Sequence, residues 1–372
     1  MSRSGHFVLA AGGTGGHLVP AHALAAELRA RGHRATLVTD ARGAKIPGLF
    51  GGVETRVLPA GRIAHNPLAL LRAARDIAAG RAMALALYRE LRPAAAVGFG
   101  GYPAFPALLA AKAAGLPTAV HEQNAVLGRV NRLVAGRVDA IATAYPEVDR
   151  LSPRHRAKAT LVGNPIRAEV LAIRDEPYPA LAADGVLRLL VTGGSQGASV
   201  LSEVVPAAVG LLPENLRHRL QVTQQCRPED LEAVCATYRA LGVPAELATY
   251  FPDLPQRLGW AHLVVARAGA STIADLTAAG RPAILVPLPS AADDHQTANA
   301  REMAKLGGAR VIGQAEFTAE RLAREVEAMV ADPESLAAAA DRARACGRPR
   351  AAEALADLVE RLAGDALLER AA

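Results

Sequence analysis

The chain has 372 residues, 51% of them hydrophobic and 21% charged, which indicates a globular protein of two domains rather than a disordered chain. Its net charge of +6 is carried by scattered arginines, and only 3% of the residues are aromatic. We therefore expect an anionic membrane surface or substrate rather than nucleic acid, which is bound by dense basic clusters with stacking aromatics. The three cysteines are widely spaced and form no C-x-x-C pair, which favours neither a disulfide framework nor a zinc site and suits a reducing cytoplasm.

Short runs of β-branched, Leu and Val residues alternate with longer Ala-, Leu- and Arg-rich stretches, a pattern typical of βα units on a parallel sheet. In the first half it predicts strands near Phe7–Ala11, Ala35–Thr39, Thr55–Leu58, Ala94–Gly98, Thr118–His121 and Ala140–Thr143. The predicted helices lie near Pro20–Arg31, Pro67–Leu91, Ala104–Ala114 and Gly128–Ala135. The first run is too short for a signal peptide, and no stretch has the roughly 18 apolar residues of a spanning helix, so we expect no membrane crossing.

The second half restarts the same pattern. Its predicted strands lie near Leu187–Thr192, Leu220–Thr223, Ala245–Ala248, Leu263–Ala266, Ala283–Val286 and Ala309–Ile312. The helices predicted between them lie near Ala198–Leu211, Pro228–Leu241, Ser271–Ala279 and Asp294–Lys305. After Phe317, three segments rich in Ala, Leu, Glu and Arg predict helix up to the last residue.

A weak internal repeat supports two similar domains. Gly12–Gly16 follows the first predicted strand of the first half, and Gly193–Gly197 follows the first predicted strand of the second half. The natural break is the Pro- and charge-rich stretch Arg174–Gly185. We expect an α/β chain of two Rossmann-like parallel-sheet domains that face a central cleft: residues 1–170, residues 171–345, and a C-terminal helix, residues 346–372, that can pack back on the N-terminal domain.

Both glycine turns lie where a helix begins. A helix N-terminus offers unpaired N–H groups and a partial positive charge, so two such turns favour a phosphate-bearing ligand over simple tight corners. The first turn is not a dinucleotide fingerprint, because Leu18 takes the place of the third glycine. Asp40, placed where a ribose-binding acid would lie, keeps an NAD(P)-dependent oxidoreductase as the alternative. A non-catalytic nucleotide-sugar or membrane-binding module is a third hypothesis.

Seven stretches in chain order resemble the membrane-associated N-acetylglucosaminyltransferases of peptidoglycan synthesis, which have the GT-B fold. Each stretch alone is a weak signal, but seven in order are specific and cover most of the chain up to about residue 313. The stretches are Gly12–His17, Gly100–Tyr102, His121–Asn124, Val162–Arg167, Gly193–Gly197, Arg267–Thr272 and Asp293–Ala300.

The resemblance implies inverting transfer of N-acetylglucosamine from UDP-N-acetylglucosamine to lipid I, undecaprenyl-pyrophosphoryl-MurNAc-pentapeptide, which gives lipid II and UDP. It implies a peripheral enzyme on the cytoplasmic side of the cell membrane, with a role in cell-wall synthesis and so in cell shape and division. No metal or other cofactor is implied, in agreement with the lack of Asp-x-Asp in the sequence. Asp293-Asp294 is better interpreted as the acidic N-terminal turn of a helix than as a cation site.

Two residues are candidate general bases for the attacking sugar hydroxyl. His17 directly follows the first glycine turn, and an imidazole titrates near neutrality; a helix-capping or structural histidine is the alternative. Glu122 belongs to four polar residues at the end of a buried strand, a costly cluster unless a ligand or a network satisfies it.

The other site residues are implied by the resemblance. Tyr102 and Asn131 are expected around the acceptor. Where the family has a glutamate on the ribose, this chain has Asp275, one methylene shorter, and Pro252 leaves only the N–H groups of Phe251 and Asp253 to contact the uracil. The full set expected to bind UDP-N-acetylglucosamine is Thr14, Gly15, Gly16, Asn124, Arg167, Ser195, Phe251, Ala270, Ser271, Thr272, Asp275 and Gln296.

The segment Asn66–Arg92 combines apolar residues such as Leu68, Leu70 and Leu71 with five arginines. Basic side chains beside an apolar face suit an anionic membrane surface. A helix that packs its apolar face on the core would show the same pattern. Because the acceptor's lipid must stay in the bilayer, the resemblance favours the membrane interpretation.

Overall fold

The computed structural model describes residues 4–45, 52–61, 66–182, 184–194 and 197–369. The chain divides into two compact units: Met1–Arg167 with Pro349–Ala372 form unit 1, and Ala168–Arg348 form unit 2. The Pro- and charge-rich stretch in which the sequence suggested a break therefore lies within unit 2.

Unit 1 contains a sheet of seven parallel strands in the order β3-β2-β1-β4-β5-β6-β7. The strands are β1 (His6–Ala10), β2 (Arg34–Thr39), β3 (Glu54–Val57), β4 (Ala95–Gly98), β5 (Thr118–Glu122), β6 (Ala140–Thr143) and β7 (Ala159–Leu161). β1, β4, β5 and β6 are buried along their whole length, which explains why β1, β4 and β6 are mostly apolar runs rather than alternating ones; in β5, Thr118, His121 and Glu122 are buried polar residues.

The helices of unit 1 cover this sheet. They are α1 (Gly15–Ala30), α2 (Pro67–Leu91), α3 (Ala104–Ala113), α4 (Arg129–Val134) and the last helix of the chain, α14 (Ala351–Glu369). Leu355 and Val359 of α14 lie in one apolar core with Phe7 and Leu9 of β1. Arg31, just after α1, reinforces this packing with ion pairs to Asp357 and Glu360 of α14.

Unit 2 contains a six-stranded parallel sheet in the order β10-β9-β8-β11-β12-β13. Its strands are β8 (Leu187–Thr192), β9 (Leu220–Gln225), β10 (Ala245–Ala248), β11 (Leu263–Ala266), β12 (Ala283–Leu285) and β13 (Ala309–Val311). Its helices are α5 (Ala168–Arg174), α6 (Ser199–Leu211), α7 (Glu214–Arg217), α8 (Leu231–Ala240), α9 (Leu254–Trp260), α10 (Ala270–Ala279), α11 (His295–Lys305), α12 (Ala319–Val330) and α13 (Pro333–Cys346).

A buried arginine joins the ends of two of these helices. Arg281 is fully buried and donates to the carbonyl oxygens of Leu258 and Gly259 in α9 and of Ala279 at the end of α10. Carbonyls at helix C-termini lack helical partners and carry partial negative charge, so they offset the cost of burying this cation. Burial lowers the pKa of Arg281 to about 10.

The structure confirms the strands and helices predicted from the sequence to within a few residues, and it adds β7, α5, α7 and α9. The largest difference in bounds concerns α1, which begins at Gly15, so that Pro20 lies inside the helix rather than at its start. Among the described residues, no helix is long and apolar enough to cross a membrane.

Candidate active site

The glycine turn after β1 packs directly on the loop after β4. A Cβ on Gly101 would lie 2.7 Å from the carbonyl oxygen of Gly12, and Gly101 has a φ of +78°. A Cβ on Gly12 would in turn lie 2.3 Å from Cδ of Pro103. Real Cβ atoms do not approach so closely, so glycine at both positions is what brings the two backbones together.

These two loops hold the imidazole of His17, in the first turn of α1. Its Nδ1 lies 2.9 Å from the carbonyl oxygen of Gly12. Because a carbonyl only accepts, Nδ1 carries the hydrogen, and in the neutral ring Nε2 then carries the lone pair. A Cβ on Gly100 would lie 3.1 Å from this Nε2. The half-buried His17 is therefore fixed with a basic nitrogen beside the Gly100–Tyr102 loop.

The N-terminus of α1 lies at the same place. Thr14 precedes the helix in an extended conformation, and its carbonyl oxygen accepts from the N–H groups of His17 and Leu18. Gly15 and Gly16 are the first two helical residues, whose N–H groups have no partner within a helix. The turn carries no acidic residue, so the positive end of the helix dipole is not neutralised there.

The carboxylate of Glu122, at the end of β5, is 2% exposed and accepts four hydrogen bonds. Oε1 accepts from the backbone and side-chain N–H groups of Asn124, at 3.0 and 3.1 Å. Oε2 accepts from the Gly128 N–H at 2.7 Å and from Asn131 Nδ2 at 2.8 Å. Uptake of a proton would break part of this network, so the geometry fits a residue that orders the 123–131 segment better than a general base.

The network also determines where the two predicted sugar contacts lie. Asn131 is 2% exposed, and its Nδ2 additionally donates to the carbonyl oxygen of His121 at 3.2 Å. Asn124 is half-buried beside it. Tyr102 is half-buried in the loop next to His17. Tyr102 and Asn124 thus reach the surface of unit 1, whereas Asn131 lies beneath it.

In unit 2 the corresponding glycine turn follows β8. Gly194 and Gly197 have φ angles of +78° and +68°, and a Cβ on Gly193 would lie 2.5 Å from the Ala198 nitrogen. Gln225, at the end of β9, holds the turn: it accepts from Thr192 Oγ1 at 2.9 Å and donates to the Gly194 carbonyl at 3.0 Å. Ser195, predicted to contact the diphosphate, lies outside the described residues.

A second helix start in unit 2 with predicted contacts to the ligand is that of α10. Gly269 precedes it in an extended conformation, Ala270 is buried, and Ser271 and Thr272 are half-buried in its first turn. Among the described residues, the buried Ser271 Oγ has no hydrogen-bond partner. Asp275 lies one turn further along and is 6% exposed. An unsatisfied hydroxyl at a helix N-terminus is suited to donate to an anion.

Two further predicted contacts, Gln296 and Phe251, lie in unit 2. Oε1 of Gln296, in α11, accepts from the Leu288 N–H at 3.0 Å. Ahead of that helix, Asp293 and Asp294 have φ angles of +57° and +53°, and Asp294 accepts a hydrogen bond at 2.7 Å from the side-chain hydroxyl of Thr297, in the first turn of the helix. Phe251 is buried, with the Arg257 guanidinium 4.1 Å from its ring centre.

Residues that support the site were missed at the sequence level. Gln225 and Arg257 contact no expected ligand but fix the Gly194 turn and the ring of Phe251. Gln225 had a usable signal, since it is a polar residue at the end of a buried strand, as Glu122 is. Arg257 had a partial signal: Asp253 lies four residues before it, the spacing of an ion pair on one helix, whereas its other partner, Glu246, becomes a neighbour only in the fold.

Comparisons with known proteins find glycosyltransferase domains in both halves of the chain. The family model of the glycosyltransferase family 28 N-terminal domain matches residues 7–143, and that of the C-terminal domain matches residues 188–362. The UDP-N-acetylglucosamine--N-acetylmuramyl-(pentapeptide) pyrophosphoryl-undecaprenol N-acetylglucosamine transferase of Zymomonas mobilis is 60% identical over 98% of this chain and 94% of its own. The enzyme of the same name from Novosphingobium aromaticivorans is 61% identical over the same shares.

Among solved structures, that of MurG from Acinetobacter baumannii matches with a TM-score of 0.77 and 29% identity over 96% of this chain and 99% of its own. With the two parallel-sheet units, this match gives the GT-B fold that the sequence predicted.

The oxidoreductase alternative is wrong. Both family models and both relatives are glycosyltransferases. The physical reasons lie in unit 1: Leu18 is a fully buried core residue, and the Asp40 carboxylate is used locally, with Oδ1 accepting from the Gly43 N–H at 2.7 Å.

Proposed function

The chain belongs to glycosyltransferase family 28, and on that premise we propose that it transfers N-acetylglucosamine from UDP-N-acetylglucosamine to lipid I, giving lipid II and UDP. The observation that carries the proposal is the 60% identity, over 98% of the chain, to an enzyme named for this transfer. The acceptor hydroxyl forms a bond to the anomeric carbon with inversion, the bond from that carbon to the diphosphate breaks, and the hydroxyl proton passes to a base.

We propose His17 as that base. Its support is the hydrogen bond from Nδ1 to Gly12, which leaves Nε2 as the nitrogen that accepts a proton. Tyr102, in the adjoining loop, is proposed as an acceptor contact. Glu122 and Asn131, whose polar groups bond to each other, are proposed to order this region of unit 1 rather than to react.

We propose that the helix starts of unit 2 stabilise the departing UDP. Backbone N–H groups at Ala270 and Thr272, with the hydroxyl of Ser271, provide fixed dipoles for the diphosphate without a metal. Ser195 is proposed to act in the same way after β8. Asp275 is proposed to bind the ribose, Phe251 the uracil through its backbone, and Gln296 the sugar hydroxyls. In unit 1, Thr14, Gly15, Gly16, Asn124 and Arg167 are the proposed donor contacts.

We propose that the enzyme is peripheral on the cytoplasmic face of the membrane and that α2 contacts anionic lipid. The support comes from exposure: Leu68, Leu70 and Leu71 are 58%, 51% and 69% exposed, and Arg72 and Arg75 beside them are exposed. The other half of α2 packs on the core through Leu87 and Tyr88. The exposed leucines of α2 thus lie at its beginning, and Met83, which is 47% exposed, is a further exposed apolar side chain in its second half.

The activity is tested by incubating the protein with radiolabelled UDP-N-acetylglucosamine and a lipid I analogue. Label in the extracted lipid, with one UDP released per transfer, is the expected result. UDP release without labelled lipid would mean that the acceptor is not lipid I. For the membrane contact, flotation with phosphatidylglycerol vesicles is compared between the wild type and Leu70→Glu, with Val57→Glu, a similarly exposed residue on β3, as the matched control.

A further inference from the structure

Two buried polar side chains at the end of β5 bond to loops other than their own. His121 is 0% exposed, and its Nε2 lies 2.8 Å from the carbonyl oxygen of Gly163. Because a carbonyl only accepts, Nε2 carries the hydrogen and Nδ1 is the acceptor of the neutral ring. Gln123 Nε2 donates to this Nδ1 at 3.1 Å. Burial lowers the pKa of His121 to about 4, so the ring stays in this neutral form at physiological pH.

Gln123 extends the connection to a third segment. Its Nε2 also donates to the carbonyl oxygen of Phe99 at 3.0 Å, and Gln123 is 2% exposed. The Phe99 ring lies against His121, with the ring centres 5.5 Å apart. Three chain segments, 99–102, 121–124 and 163–167, are therefore joined through one imidazole and one amide.

Each joined loop carries a residue of the proposed function. The carbonyl held by His121 belongs to Gly163, which has a φ of +93° and lies four residues before Arg167. The carbonyl held by Gln123 belongs to Phe99, the residue before Gly100, which borders the His17 ring. The buried imidazole of His121 is thus hydrogen-bonded to the loop that carries the proposed donor contact Arg167. The buried amide of Gln123 is hydrogen-bonded to the loop that borders the proposed base His17.

We propose that His121 and Gln123 are positioning residues for the transfer: His121 sets the loop of Arg167 toward the donor, and Gln123 sets the loop of Tyr102 beside His17. This rests on the proposed function, which assigns Arg167, Tyr102 and His17 their roles. If the two side chains had a purely structural role, substituting them would lower stability and leave the kinetic constants unchanged.

The experiment uses variants of His121 that differ in reach. The amide nitrogen of glutamine can occupy the position of Nε2, whereas that of asparagine reaches only as far as Nδ1. His121→Gln therefore keeps a donor for Gly163, and His121→Asn loses it. The control is His6→Leu. His6 is also buried in unit 1, but its Nε2 bonds to Thr36 Oγ1 at the amino end of β1, whereas His121 lies near the carboxyl end of β5.

Steady-state kinetics are measured well below the melting temperature of every variant, and UDP-N-acetylglucosamine binding is measured by calorimetry. His121→Asn is expected to raise the donor KM and Kd by about tenfold, the effect of one lost hydrogen bond, with acceptor KM nearly constant. His121→Gln restores the donor constants, and Gln123→Leu instead lowers kcat. His6→Leu lowers the melting temperature alone.

Equal donor constants for His121→Asn, His121→Gln and the wild type would overturn the proposal, as would a Gln123→Leu enzyme with wild-type kcat. An inactive wild type, with no label transferred to lipid I, would refute the proposed function itself and with it the positioning roles. If His121→Asn does not fold, the comparison of Gln123→Leu with His6→Leu still decides whether the connection affects catalysis.

Discussion

The loss of the His17 imidazole is the sharpest test of the proposed chemistry. His17→Ala removes Nε2 while the turn of Gly12 and the loop of Gly100 keep their close backbone contact, which does not involve the ring. A general base typically contributes about 10²- to 10⁴-fold to the rate, equivalent to about 3–5 kcal/mol of barrier. The lost Nδ1 bond to Gly12 is half-buried, so the cost in stability is about 1 kcal/mol. The variant should therefore be folded and nearly inactive.

The assay is kcat and both KM values from UDP release, with melting temperature and UDP-N-acetylglucosamine affinity measured on the same samples. We expect kcat to fall by about 10²- to 10⁴-fold with donor affinity nearly unchanged, and added imidazole to restore part of the rate. Glu122→Gln is the matched comparison, because an amide in place of the carboxylate puts an N–H donor where Asn124, Gly128 or Asn131 already donates. It should lose about 1–3 kcal/mol of stability for the mispaired groups.

A His17→Ala enzyme with wild-type kcat and a raised KM would refute the base and make the histidine a binding residue. If Glu122→Gln were fully folded but had lost kcat to the extent expected for His17→Ala, Glu122 would be the base instead. Wild-type constants in both variants would mean that neither side chain takes the proton.

Three further predictions concern the donor, the metal and pH. Asp275→Ala should weaken UDP binding by about 1–3 kcal/mol, the cost of a lost charged hydrogen bond, and unchanged calorimetry of a folded variant would place the ribose elsewhere. Turnover should persist in excess EDTA because helix-start dipoles replace a cation, and loss of activity that Mg²⁺ restores would contradict this. Burial holds the pKa of His121 at about 4, so its neutral form contributes full stability above about pH 6.5, and that contribution is lost as pH falls from 6.5 through 4. Urea unfolding from pH 7 to 4 should show a loss of order 3 kcal/mol, smaller in His121→Gln; identical pH slopes would exclude His121 as the cause.

The predictable parts of the fold are those whose burial requires a recognisable pattern of apolar residues in the sequence. The fully buried strands β1, β6 and β11 are mostly continuous apolar runs, and each was found at nearly its observed bounds. β7 has three residues at the edge of its sheet and is partly exposed, so no apolar run marks it. Pro20 misled the prediction for α1, because proline is common in a first helical turn but here lies inside the helix.

For the candidate site, residue types were predictable and hydrogen-bond partners were not. Glu122 could be recognised from the sequence as a candidate site residue, because a carboxylate at the end of a buried strand needs hydrogen-bonding partners. Which groups compensate it depends on how the chain folds back: Gly128 and Asn131 come within 2.8 Å of its oxygen only because the segment after β5 turns onto the strand end. The same four bonds that explain its burial argue against its use as a base, a conclusion that residue spacing alone does not give.

Two histidines of unit 1 make the same bond, and their surroundings separate their roles. In each, one ring nitrogen lies within 2.9 Å of a glycine carbonyl, Gly12 for His17 and Gly163 for His121, so each carries its hydrogen on a known nitrogen. The other nitrogen of His121 accepts from Gln123 inside a fully buried network, where an imidazolium would lose its solvation without an anionic partner. His17 is half-buried, so charge on its ring keeps part of its hydration, and its Nε2 is directed toward the Gly100–Tyr102 loop. In both histidines a carbonyl oxygen therefore fixes the tautomer, and solvent access separates their roles. The half-buried His17 is the candidate proton acceptor, whereas the fully buried His121 is a fixed connection between loops.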